Sequence, residues 1–148
     1  MGEDAKAADY AGAVLKRGDA NAEQQYAAWL ITAQVRESGQ EFGLAERAWR
    51  QALGLIDSGR LGAEQKADRS RVRHQLATSV FHQGEQAASA GKFEQAVAHF
   101  RRVGTVLPDS EIAVNARFDA ANTLLKAGRW QSAVNELQWF RRHYPDHE

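Results

Sequence analysis

The sequence predicts an all-α fold of stacked helical hairpins, and three observations predict it. A phrase of an aromatic, an alanine three positions on and a bulky apolar residue four further recurs as Phe42-Ala45-Trp49, Phe93-Ala96-Phe100 and Trp130-Ala133-Leu137. The next apolar positions recur with it: Ala52 and Ile56, Val103 and Leu107, Phe140 and Tyr144. The last two copies open after a glycine (Gly91, Gly128) and close on Pro108-Asp109 and Pro145-Asp146, so that Phe93 to Trp130 and Pro108 to Pro145 each span 37 residues. No hairpin of such a period buries its apolar face alone, so neighbours stack into a solenoid. No stretch alternates with period two and β-branched enrichment, so no strand is assigned.

About seven helices follow in order. The first spans roughly 4–17 and stops at Gly18; the second spans about 22–37, ending at Ser38-Gly39. The third, about 42–56, is closed by Asp57-Ser58-Gly59. A long fourth helix over about 63–90 opens with a charge-rich stretch, Glu64 to Arg73, which is expected to stand out as a solvated overhang. The fifth covers about 92–106, the sixth runs from an N-cap at Ser110 to Ala127, and the seventh covers about 129–143. Gly91 and Gly128 suit a left-handed turn between paired helices. Gly84, in mid-helix, costs about 1 kcal/mol against alanine, which calls for a close packing reason. Ala121 stands 37 residues later in the same place. The whole reads as one domain over 1–148: a leading helix (4–17), a degenerate repeat (22–56), a repeat with an extended first helix (63–108) and a last repeat (110–146). The end, shortly after a proline that elsewhere precedes another helix, is that expected of a piece of a longer protein.

Composition narrows the function. The 148 residues are 43% hydrophobic with formal net charge zero, which suits a globular core and gives no excess positive charge for a phosphate backbone, so nucleic acid is not expected. Arg69, Arg71 and Arg73 form one local basic cluster, read as a solvated helix face. The absence of cysteine removes disulfides and thiol chemistry without fixing a compartment. No apolar run is long enough to cross a membrane, and the start Met1-Gly2-Glu3-Asp4 does not read as a signal peptide, any export signal being expected in a part cut away.

The pattern Gly84, Gly91, Phe93, Ala96, Phe100, Pro108, repeated as Ala121, Gly128, Trp130, Ala133 and Pro145, resembles the tetratricopeptide repeat over residues 22–146. In the first repeat Thr32 stands at the small-residue place, one extra residue precedes Phe42, and no proline closes it. The run Pro108-Asp109-Ser110, Ala116, Phe118, Ala121, Gly128, Ala133, Phe140, Tyr144-Pro145-Asp146 resembles a longer-period subclass found in bacterial cell-envelope proteins. Those include the TolA-binding coordinator and the lipoprotein of the β-barrel assembly machine. The resemblance implies a right-handed superhelix, a protein or peptide ligand, and a periplasmic or outer-membrane-associated scaffold; a cytoplasmic location is the alternative.

Chemistry finds little footing. His143 and His147 have the spacing of a helical metal pair, but Pro145 lies between them and ends the helix. His74 and His82 have no carboxylate at a ligand spacing, and Ser79, Ser89 and Ser110 have no placed base. No catalytic residue, metal site or cofactor is expected. The expected function is non-catalytic protein binding; the alternative is an architectural or oligomerisation module.

The first helix of each hairpin should line the concave surface of such a superhelix. That places Trp29 (with Tyr26 and Arg36), Phe81 and Glu85 (with Thr78 and Ala88), and Asn115, Phe118, Asn122 and Lys126 on a peptide groove. Trp139 falls about 150° from the centre of the apolar face of its helix. It is therefore expected as an exposed ring which, with Tyr144, makes an end-stacking contact to another copy or to further repeats.

Overall fold

The computed structural model describes residues 2–147, and among them it has eight helices and no strand: α1 (Gly2–Lys16), α2 (Ala22–Ser38), α3 (Phe42–Asp57), α4 (Ala63–Ala67), α5 (Arg69–Ser89), α6 (Phe93–Val106), α7 (Glu111–Lys126) and α8 (Trp130–His143). None of these helices is long and apolar enough to cross a membrane. The chain divides into two compact units, one up to Ser79 and one from Val80 on, with the boundary inside α5.

In the first unit α1 packs on α2, and α2 on α3. Asn21 caps α2: its side chain accepts from the Gln24 backbone N–H at 2.9 Å, and the Gln24 side chain accepts from the Asn21 N–H at 3.0 Å. This reciprocal pair satisfies two orphan donors of the first turn. The core gathers Ala11, Val14, Ala28, Ala33, Ala45, Trp49 and Ala52. In the second unit α7 packs on both α6 and α8. Ser110 caps α7 as expected, accepting from Ala113 N–H at 3.2 Å.

Three turns share one geometry. After α5, Gly91 N–H bonds to Ala88 O and Lys92 N–H to Ala87 O; after α7, Gly128 bonds to Leu125 and Arg129 to Leu124; after α2, Gln40 bonds to Glu37 and Glu41 to Arg36. Each pair closes a helix on a left-handed residue. The left-handed residues are Gly91 (φ 73°), Gly128 (φ 70°) and Gln40 (φ 57°). The three-residue links make α2–α3, α5–α6 and α7–α8 antiparallel hairpins.

This corrects the expected register of the first repeat. Gly39 has φ −82° and only ends α2; Gln40 takes the place that Gly91 and Gly128 fill. No extra residue intervenes. The counterpart of Gly84 and Ala121 is Ala33, which is fully buried, and not Thr32, whose hydroxyl donates to Ala28 O.

Small residues sit where helices cross. Ala45, Ala96 and Ala133 are all 0% exposed. A Cβ on Gly84 would lie 2.6 Å from Cε1 of Phe100, so only glycine lets that ring approach α5 so closely.

The long fourth helix is broken at Asp68 into α4 and α5, and its start is not an overhang throughout. Leu61 and Val72 are buried, Tyr26 OH donates to Asp68 Oδ2 at 3.1 Å, and Arg69 pairs with Asp57 at 2.7 Å. From Asp68 on, the charge-rich stretch is thus tied down by a buried tyrosine and a cross-helix ion pair, whereas α4 before it buries no residue and keeps Glu64 and Lys66 in solvent, as expected. Burial, and then Asp68, push the Tyr26 hydroxyl up to about 12.

Candidate functional site

The corrected register moves the expected groove residues of α2. Trp29 stands at the position of Val80 and Arg117, and half-buried Leu30 at that of Phe81 and Phe118. Tyr26 is 4% exposed and points into its unit, and Arg36 pairs with Glu41 at 2.9 Å. Trp29 is itself half-buried.

In the second unit the expected residues separate into packed and open ones. Phe81 is half-buried, its ring centre 5.5 Å from Phe100 and 6.1 Å from His82, so it serves packing. Phe118 is 48% exposed, and its ring centre lies 6.3 Å from that of the buried Phe140. Asn115, one turn before Phe118, and Lys126 are exposed, and Asn122, one turn after, is half-buried. Glu85 is exposed and bonded to His82 Nδ1 at 2.7 Å.

Asp119, next to Phe118, went unnoticed in the sequence. Its carboxyl is pushed above its ordinary range by burial and by the Glu85 charge, against a lowering by Lys126. Glu85 and Lys126 thus both act on the Asp119 carboxyl, which adjoins Phe118 in sequence.

A second arrangement lies where α6, α7 and α8 meet. Glu136 is 5% exposed and accepts from Arg101 Nη2 at 2.8 Å and from Arg117 Nη1. The Arg117 guanidinium lies over the Trp139 ring at 3.8 Å, and the other face of this stack is shared with His143, whose ring centre is also 3.8 Å from Trp139. Tyr144 meets the same indole edge-on at 6.0 Å. A cleft of about 330 Å³ beside them is lined by Arg101, Thr105, Arg117, Trp139 and Tyr144 among others.

Trp139 is therefore not the exposed ring that its place on α8 suggested. It is half-buried, because Arg117 reaches it from α7 and His143 folds back over it. The exposed indole is Trp130, at 65%, although its place in the recurring phrase with Ala133 and Leu137 predicts a ring on the apolar, buried face of its helix. The sequence could show neither the long-range arginines nor which helix face lacks a neighbour.

Among the described residues no group of three or more His, Asp or Glu is arranged to hold a metal ion. His143 Nδ1 is engaged with the backbone oxygen of Trp139 at 2.8 Å, and His147 packs on Phe140. Set against family models, curated proteins and solved structures, the chain matches none.

Proposed function

We propose that the chain is a non-catalytic protein-binding scaffold, a right-handed superhelical solenoid of tetratricopeptide-type hairpins that takes a peptide or protein segment on its first helices. The observation that carries this reading is Phe118, a ring 48% exposed in the middle of α7 with Asn115 and Asn122 on the same helix side. A half-exposed ring between amides suits peptide capture: the ring supplies buried area, and the amides bond the ligand's backbone. The carboxylates of Glu85 and Asp119 add a preference for a segment with a basic residue beside its apolar anchor. Residence in a bacterial cell envelope, periplasmic or outer-membrane-associated, follows from the likeness of the longer-period repeats and belongs to the same proposal. The alternative, an architectural module, draws on the exposed Trp130 and Val134 of α8.

A peptide-library selection against the full chain tests the proposal. Selected peptides should carry an aromatic or aliphatic anchor near Lys or Arg, and Phe118→Ala should weaken them by more than about 1 kcal/mol. Unchanged affinity in a folded Phe118→Ala protein would turn the reading to the architectural one.

A further inference from the structure

α6 and α8 carry the same face one period apart, and one is covered while the other is open. The stripe Phe93, Val97, Phe100, Gly104 on α6 returns on α8 as Trp130, Val134, Leu137, Arg141. At matched positions, Val97 is 5% exposed and Val134 44%, Phe93 is half-buried and Trp130 65% exposed, and Phe100 is 2% exposed while Leu137 is half-buried. The hairpin partner does not make this difference. α5 leads into α6 through the same turn by which α7 leads into α8, and Ala96 and Ala133 are equally sealed at the crossing. What α6 has in addition is α7, packed along it. Among the described residues no helix takes that place on α8. Trp130 and Val134 lie one helical turn apart and so form a single apolar patch. Toward the other end, Gln138, Arg141 and Arg142 line an open hollow.

We propose that this face of α8 receives an amphipathic helix of α7's kind, the first helix of a further hairpin of the same period. α7 defines the chemistry. It presents Ala113, Ala116 and Ala120, all at most 1% exposed, and its first turn carries Glu111. The short link over 107–110 sets α7 antiparallel to α6. A helix laid on α8 in the same sense sets small apolar residues over Trp130 and Val134 and brings its first turn to Arg141 and Arg142. Those two replace the uncharged Gly104 and Thr105 of α6, so acidic residues in that first turn complete the match. The inference does not depend on the groove reading, which Phe118→Ala tests separately.

The probe is a capped synthetic peptide of residues 110–127, the sequence of α7, titrated into the full chain and followed by backbone-amide and indole N–H shifts in NMR. The expected result is saturable binding with shifts at Trp130, Val134 and Arg141. Val134→Lys should weaken it by about tenfold or more, as should Glu111→Lys in the peptide to a lesser degree. Trp130→Gln, at a position already in solvent, is the second variant should Val134→Lys disturb the fold. The proposal is overturned by no saturable shift at millimolar peptide, by equal binding of a scrambled peptide, by shifts confined to α6, or by affinity unchanged in the folded variant. Sedimentation showing a dimer that Val134→Lys abolishes would give the face to a second copy, which also overturns it.

Discussion

The two units fasten their last large side chains in different ways. Up to Ser79, the Trp49 indole is fully buried and its N–H donates to Glu37 Oε1 at 2.8 Å, the oxygen that also accepts from Ser79 Oγ at 2.7 Å. From Val80 on, Leu137 holds the place of Trp49, and the tryptophan has moved two residues to Trp139, where Arg117 and His143 hold it from outside. There the buried carboxylate, Glu136, meets two guanidinium groups in place of neutral donors. One unit is anchored by apolar area with a polar tether, the other by an ionic clasp. Equal repeat positions thus fix where a side chain stands without fixing what kind of force it supplies.

Truncation should expose that contrast most strongly. Trp49→Ala removes a fully buried indole and should cost about 3–5 kcal/mol in urea denaturation. Glu136→Ala leaves the largely buried Arg117 guanidinium without its carboxylate, while Arg101 stays in contact with water, and should cost about 1.5–3 kcal/mol. If Glu136→Ala cost as much as Trp49→Ala, the distinction between the two anchors would fail.

The turn residues sharpen the comparison at smaller scale. Gln40 adopts the left-handed conformation that Gly91 and Gly128 adopt without strain. Gln40→Gly should stabilise the protein by about 1 kcal/mol, and Gly128→Ala should destabilise it by a similar amount. A Gln40→Gly protein with a lower melting temperature would contradict the shared turn.

Carboxylates in the two units should respond to pH in opposite senses. Arg69 beside Asp57, and Arg71 with Tyr26 beside Asp68, hold those carboxyls below their ordinary range. Their contribution is present above the ordinary carboxylate range and is lost as pH falls through the lowered values. Burial and Glu85 raise Asp119, so its contribution is present in acid and is lost as pH rises through the raised value. Asp119→Asn should therefore leave acid stability unchanged and raise neutral stability by about 0.5 kcal/mol. A gain only in acid would reverse the assigned sign.

The helices outside residues 63–90, the Ser110 cap and the alanines of the recurring phrase were legible because each depends on residues close in sequence. The first repeat was misread by one position because glycine is the usual sign of a left-handed turn, and here Gln40 takes that conformation beside Gly39. Asp68 was missed as a break because its tie to Tyr26 spans 42 residues. The clasp at Glu136 draws on Arg101 and Arg117, 35 and 19 residues away, which no local pattern reveals. Trp130 and Trp139 exchanged their expected exposures for one reason: helical periodicity gives the direction of a side chain but not whether a neighbour lies there.

That last point is the centre of the account, and fluorescence quenching addresses it directly. Two proteins, each keeping one tryptophan with the others changed to Phe, would be titrated with acrylamide. Trp130 should be quenched several-fold more strongly than Trp49 and should emit at longer wavelength. Equal protection of Trp130 and Trp49 would mean that the face of α8 is covered like its counterpart on α6, and the contrast between the two helices would be lost.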